Sequence, residues 1–140
     1  MDKERDFVKA GCAETHSGGA TTRIVAQAQK DIIETRVKNL MEDKKVFLDP
    51  TMSLQKFSAL TNTNTTYLSN TVNDCFGCSF RTLLNKYRIK ESIRLMKVEG
   101  GFVDNLYQRC GFRSRSAFYA SFKAVTNKTP LRFIKAKLYR

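Results

Sequence analysis

The sequence is short of the residues on which most enzyme chemistry depends. It has one histidine, His16, and its 13 acidic residues are outnumbered by 25 basic ones. No Ser/His/Asp set, paired carboxylates or phosphate-binding loop can be assembled from it, so an enzyme is not expected. No apolar run approaches the roughly 20 residues of a membrane helix. Asp2, Lys3, Glu4, Arg5 and Asp6 alternate in sign where a signal peptide would be apolar. A cytoplasmic protein with no membrane partner is expected. No strand pattern is visible either, which leaves an all-α chain.

Cysteine is the one reactive type present in number, at Cys12, Cys75, Cys78 and Cys110. Cys75-x-x-Cys78 has the spacing of a thioredoxin-type pair or of half a zinc site. A structural zinc needs four ligands. Only Cys12, Cys110 and His16 remain to complete a set, and none stands at paired spacing. A thioredoxin-type pair would also need a strand before it. Neither a metal nor another cofactor is expected.

What the chain has in excess is positive charge, net +12 over 140 residues. Residues 1–22 sum to −1, residues 23–50 to +1, residues 51–100 to +4 and residues 101–140 to +8. A field that grows toward one end favours a polyanionic partner. An anionic membrane surface fits less well, because the cations spread over several helices rather than along one amphipathic helix.

The apolar pattern divides the chain into a tail over 1–22, a segment 23–98 and a segment 99–140. The tail is small and flexible in composition, from Gly11 through Ser17, Gly18 and Gly19 to Thr22. A helix is predicted from about Thr22 to Lys45, on Ile33, Val37, Leu40 and Met41. Val46–Pro50 reads as extended chain, since a proline pushes the preceding residue out of the α region. Ser53 caps a short helix containing Leu54, Phe57, Ser58 and Leu60, and Asn62 turns the chain. Asn64 caps the next helix, with Leu68 and Val72 on its inner face. Helix, tight turn and capped helix form a helix-turn-helix signature.

After Phe76-Gly77-Cys78-Ser79, a helix stop followed by a fresh cap, a long helix runs from Phe80 to about Lys97, some 27 Å at 1.5 Å per residue. Glu99-Gly100-Gly101 breaks it. Val103 and Leu106 open a short helix ending at Cys110, and the turn Gly111-Phe112-Arg113 leads to Ser114, a second N-cap. Phe118, Phe122 and Val125 then face inward, while Arg115, Ser116, Tyr119, Ala120 and Lys123 face outward with no acid among them. A last helix starts at Pro130 and carries Leu131, Phe133, Ile134 and Leu138. Tyr67, Phe112, Phe118 and Phe122 are assigned to the core.

Gly111-Phe112-x-Ser114-x-Ser116-x-Phe118-x-x-x-Phe122-Lys123, followed by Thr129-Pro130-x-x-Phe133, resembles the signature of the AraC/XylS family of bacterial transcription regulators. Leu48-Asp49-Pro50, Ser53-Leu54, Asn64, Tyr67-Leu68-Ser69, Phe76-Gly77 and Tyr87-Arg88-Ile89 are similar to the first half of that family's DNA-binding domain. The resemblance covers about Phe47 to Lys135. It implies a seven-helix domain, two helix-turn-helix units joined by a linker helix, which inserts two recognition helices into successive major-groove segments of double-stranded DNA. It also implies RNA polymerase as a protein partner and a sensing or dimerisation domain elsewhere. Recognition helices on one DNA face stand about one turn, roughly 34 Å, apart, and the linker length suits that spacing. Three positions depart from the pattern. Tyr107 stands where a small residue is implied, and would have to rotate outward or make the second unit repack. Asn127 replaces a glycine and Ile134 an arginine.

Chemistry then assigns roles. Arg115 is the foremost base reader, because a guanidinium can grip guanine O6 and N7 together. Ser116 and Tyr119 lie beside it, and Ala120 suits a thymine methyl. In the first unit Thr65, Thr66, Ser69 and Asn70 line the outer face, Asn70 suiting adenine N6 and N7. Arg81, Arg113, Lys123 and Arg132 are cast as phosphate contacts, which position without specifying. The competing reading is a basic interaction module that holds nucleic acid nonspecifically or binds an acidic protein.

Overall fold

A computed structural model describes residues 20–101 and 103–137. Its described residues form seven α-helices and no strand: α1 Ala20–Lys38, α2 Leu54–Leu60, α3 Thr65–Phe76, α4 Phe80–Glu99, α5 Leu106–Arg109, α6 Arg115–Thr126 and α7 Pro130–Lys137. They divide into two compact units. The first holds the described residues through Val46 together with Met52–Leu83, and the second holds Phe47–Thr51 with the residues from Leu84 onward. The long helix α4 thus starts in one unit and ends in the other. His16, Cys12, most of the 1–22 tail, Leu138 and Arg140 lie outside the described residues.

In the first unit α1 and α2 both pack on α3. Ile33, Val37, Met41, Phe57, Leu68, Val72, Cys75, Phe76, Phe80 and Leu83 are buried, and the Phe57 and Phe80 rings meet at 4.9 Å. Lys30 Nζ of α1 pairs with Asp74 of α3 at 2.8 Å, a hydrogen bond that holds the ammonium above its usual pKa range. Arg36 donates to the Thr61 carbonyl at 2.8 Å and so ties α1 to the turn between α2 and α3.

The second unit closes around Ile89, Leu95, Met96, Val103, Leu106, Cys110, Phe112, Phe118, Phe122 and Ile134, with Ile93, Tyr107, Val125 and Phe133 at its margin. Arg88 is buried. Its Nε donates to the Phe47 carbonyl at 2.8 Å, one Nη donates to the Asp49 carbonyl at 3.0 Å, and the guanidinium lies 5.5 Å from the centre of the Phe112 ring. A cation without bulk water here is satisfied by carbonyl oxygens and an aromatic face.

Several local expectations are corrected. The first helix begins at Ala20 and leaves α geometry after Lys38, passing into a π turn over Asn39–Asp43 in which Lys44 N–H reaches back to Asn39 O. Lys45 then takes a positive φ of 51° and ends the run. Val46–Leu48 is a 3-10 turn, not extended chain. Pro50 restricts only the residue before it, whereas burial of Phe47 and the grip of Arg88 fix the rest. α4 runs on to Glu99, and Gly101 N–H closes it on Met96 O at 2.9 Å. The short helix starts at Leu106 rather than Val103, because Asn105 is left-handed at φ 55°. Leu131 is exposed, since the inner face of α7 is supplied by Pro130 and Ile134. Tyr67 is only half-buried, with its hydroxyl 3.5 Å from Gln29 Oε1.

Candidate nucleic-acid interface

Each unit presents one helix whose entry is fixed by its own sequence. In the first, Ser53 Oγ accepts from Lys56 N–H at the start of α2. The Thr61 side chain is fully buried and donates to the Phe57 and Ser58 carbonyls. Asn62 takes φ 59° to reverse the chain, and Asn64 Oδ1 accepts from Tyr67 N–H at 2.7 Å. α3 therefore starts at Thr65 and stops where Gly77 turns left-handed at φ 71°. Ser58, small as the resemblance implies, is buried and donates to the Gln55 carbonyl.

Leu68, Thr71, Val72, Cys75 and Phe76 occupy the inner side of α3. Thr66 and Asn70 are exposed on the other side, with Thr65 and Ser69 half-buried beside them. This face is polar and uncharged. Arg81 is exposed in the first turn of α4.

In the second unit the turn is closed in the same way. Gly111 and Phe112 N–H groups reach back to the Gln108 and Tyr107 carbonyls at 3.1 and 2.9 Å. Ser114 Oγ accepts from Ala117 N–H at 3.1 Å and starts α6. Asn127 stops it at φ 62°, doing the work of the absent glycine. Phe118 and Phe122 are buried and stack edgewise at 5.7 Å. Arg115, Ser116, Tyr119, Ala120 and Lys123 are all exposed and lie on one side of the helix, with Arg113 exposed in the turn before it. Arg132 is exposed on α7, where Thr129 Oγ1 accepts from its N–H.

The cations fall into two sorts. Lys30, Lys38, Arg94 and Arg109 pair with Asp74, Glu34, Glu91 and Glu99 at 2.7–2.9 Å. Among the described residues no carboxylate pairs with Arg81, Arg113, Arg115, Lys123 or Arg132. Charge follows the same division. Among the described residues the second unit carries 13 basic and 4 acidic residues, and the first carries 8 and 5.

Tyr107 is the side chain whose part was not anticipated. It is half-buried at the edge of the core, and Arg115 Cζ lies 5.9 Å from its ring centre. The signal was its size, where a small residue was implied.

Cys75 is buried and Cys78 half-buried at the junction of α3 and α4, and neither forms a disulfide. Burial pushes the Cys110 thiol up to about 12. Among the described residues no three His, Cys, Asp or Glu side chains are grouped to hold a metal, and no helix is long and apolar enough to cross a membrane.

Two helices, each capped behind a tight turn on a shorter helix and joined through one long helix, define a double helix-turn-helix domain. A family model described as a helix-turn-helix domain matches residues 57–136. The chain belongs to that family, of the AraC type, a family of DNA-binding regulator domains. Among solved structures, the chain is similar to the C-terminal domain of AraT, a response regulator from Geobacillus stearothermophilus. The identity is 22% and the TM-score 0.61, over 82% of this chain and 86% of that one. A protein of unknown function from Listeria innocua aligns at 22% identity and TM-score 0.54, over 85% and 98% of the two chains. At these identities the likeness concerns the fold. No curated protein matches the chain.

Proposed function

We propose that this domain recognises particular double-stranded DNA sites by inserting α3 and α6 into successive major-groove segments. One observation carries the reading: Arg115, Ser116, Tyr119, Ala120 and Lys123 stand together in solvent on a helix whose start is capped by Ser114, with no carboxylate paired to its cations among the described residues. An ordinary solvated face would mix acids with bases. A face meant for a polyanion cannot.

In this reading Arg115 grips guanine O6 and N7, Ser116 and Tyr119 contact neighbouring base edges, and Ala120 packs on a thymine methyl. Thr65, Thr66, Ser69 and Asn70 read the other segment, Asn70 against adenine. Arg81, Arg113, Lys123 and Arg132 hold phosphates. RNA polymerase is the protein partner that such a regulator implies.

Selection of bound duplexes from a random pool yields the preferred site, and salt titration on that site and a scrambled duplex tests the claim. Preference for the selected site is expected, with Arg115→Ala costing about 1–3 kcal/mol there and relaxing one base pair. Equal affinity for both duplexes would establish the basic interaction module instead.

A further inference from the structure

Resting on the reading of Arg115 as a base reader, we infer that Tyr107 is a positioning residue that aims the Arg115 guanidinium and thereby sets base preference in the second unit. Arg115 is the first residue of α6, and its long side chain is exposed. Tyr107 comes from α5, on the other side of the turn, and its ring is anchored at the margin of the core. The guanidinium carbon lies 5.9 Å from the ring centre. An aromatic face attracts a guanidinium, whose planar fork can lie against it and keep its donors free at the edge. A reader held this way meets its base with fewer rotamers to lose.

The surroundings agree. Tyr107, Arg115 and Tyr119 line one shallow cleft of about 330 Å³, so a second aromatic ring, one turn further along α6, borders the same cleft. Asp104 lines the same cleft and offers a competing anchor, yet makes no ion pair with Arg115 among the described residues. Phe118 edges the Tyr119 ring at 5.7 Å, tying that wall to the core as well. A small side chain at position 107 would leave the guanidinium without this floor.

The test compares Tyr107→Leu, which keeps apolar bulk and removes the ring, with Tyr107→Phe, which keeps the ring. Binding to the selected duplex, to the same duplex with the Arg115 base pair changed, and to a scrambled duplex is measured, along with each variant's melting temperature. Tyr107→Leu should bind the selected duplex about 2- to 5-fold more weakly and lose discrimination at that one base pair. Its affinity for the scrambled duplex and its salt slope should not change. Tyr107→Phe should behave as the parent does, and Tyr107→Leu combined with Arg115→Ala should be no weaker than Arg115→Ala alone. Uniform weakening on all duplexes with a lowered melting temperature would reduce Tyr107 to a packing residue and overturn the inference, as would a Tyr107→Phe loss equal to that of Tyr107→Leu. Arg115→Ala separates the two levels. If it relaxes one base pair and Tyr107→Leu does not, positioning alone fails. If it weakens all duplexes equally, the base-reading role fails and the inference falls with it.

Discussion

Gly111 faces the Phe47 carbonyl group with no room between them for a side chain. A β-carbon at that position would overlap the Phe47 oxygen and press on Leu48 Cα and Arg88 Nε, each at 3.0 Å. The same carbonyl accepts the Arg88 Nε–H at 2.8 Å. The turn of the second helix-turn-helix, the strap Phe47–Thr51 and α4 thus meet at one point, and a glycine makes the meeting possible.

Gly111→Ala should therefore be costly. The residue sits at φ 95°, where a side chain is strained, and the overlap is with backbone rather than a movable side-chain end. Left-handed strain of roughly 1–2 kcal/mol and overpacking of roughly 1–3 kcal/mol suggest a loss of about 2–5 kcal/mol. Urea unfolding should show an earlier midpoint, and a midpoint unmoved from the parent's would contradict the account.

Arg88→Lys tests the other side of this junction. A lysine keeps the charge but is a point donor that cannot span the Phe47 and Asp49 carbonyls as the guanidinium does. It also loses the flat contact with Phe112 at 5.5 Å. Losing a hydrogen bond to a charged group costs about 1.5–3 kcal/mol, and that destabilisation is expected in the same unfolding experiment. Full retention of stability would show that charge alone suffices.

These contacts mark where sequence reading stops. Ser53, Asn64 and Ser114 announce their helices because each side chain bonds to backbone three residues on, at an offset fixed by helix geometry. Asn62 and Asn127 are legible for the same reason, as residues that tolerate the left-handed turn their positions need. The inward faces of α3 and α6 follow from period alone. Nothing local says that Arg88 will be buried on a carbonyl 41 residues away. That pairing overrides the extended conformation expected near Pro50. The outward position of Arg115 was readable from its place on the helix, but the ring beneath it comes from another helix. Tyr107 announced a departure, not its purpose.

Cys110 offers a test in pH. Burial is the main cause that lifts its thiol from 9.0 to about 12, with the Glu91 charge adding to it. Between those values the folded chain keeps a proton that the unfolded chain has released, so this residue's contribution to stability is complete below about pH 9 and declines as pH rises toward 12. Replacing Cys110 by alanine should flatten the alkaline loss of stability, while costing some packing at every pH. Denaturation midpoints compared at pH 7.5 and pH 10 for parent and variant (on the order of one residue's titration) carry the answer. An identical alkaline decline in both proteins would mean that other groups govern it.

Lys123 addresses the electrostatic part of the proposed function. It is exposed two turns along α6 from Arg115, and no carboxylate pairs with it among the described residues. A lysine in that place neutralises a phosphate and releases a condensed counterion, which weakens every sequence alike when the charge is removed. Lys123→Ala should lower affinity for selected and scrambled duplexes by the same factor. The slope of log affinity against log salt should become shallower by about one. A selective loss on the preferred site would instead make Lys123 a base reader. An unchanged slope would move the phosphate contact to another cation and set the outer edge of the interface closer to Arg115.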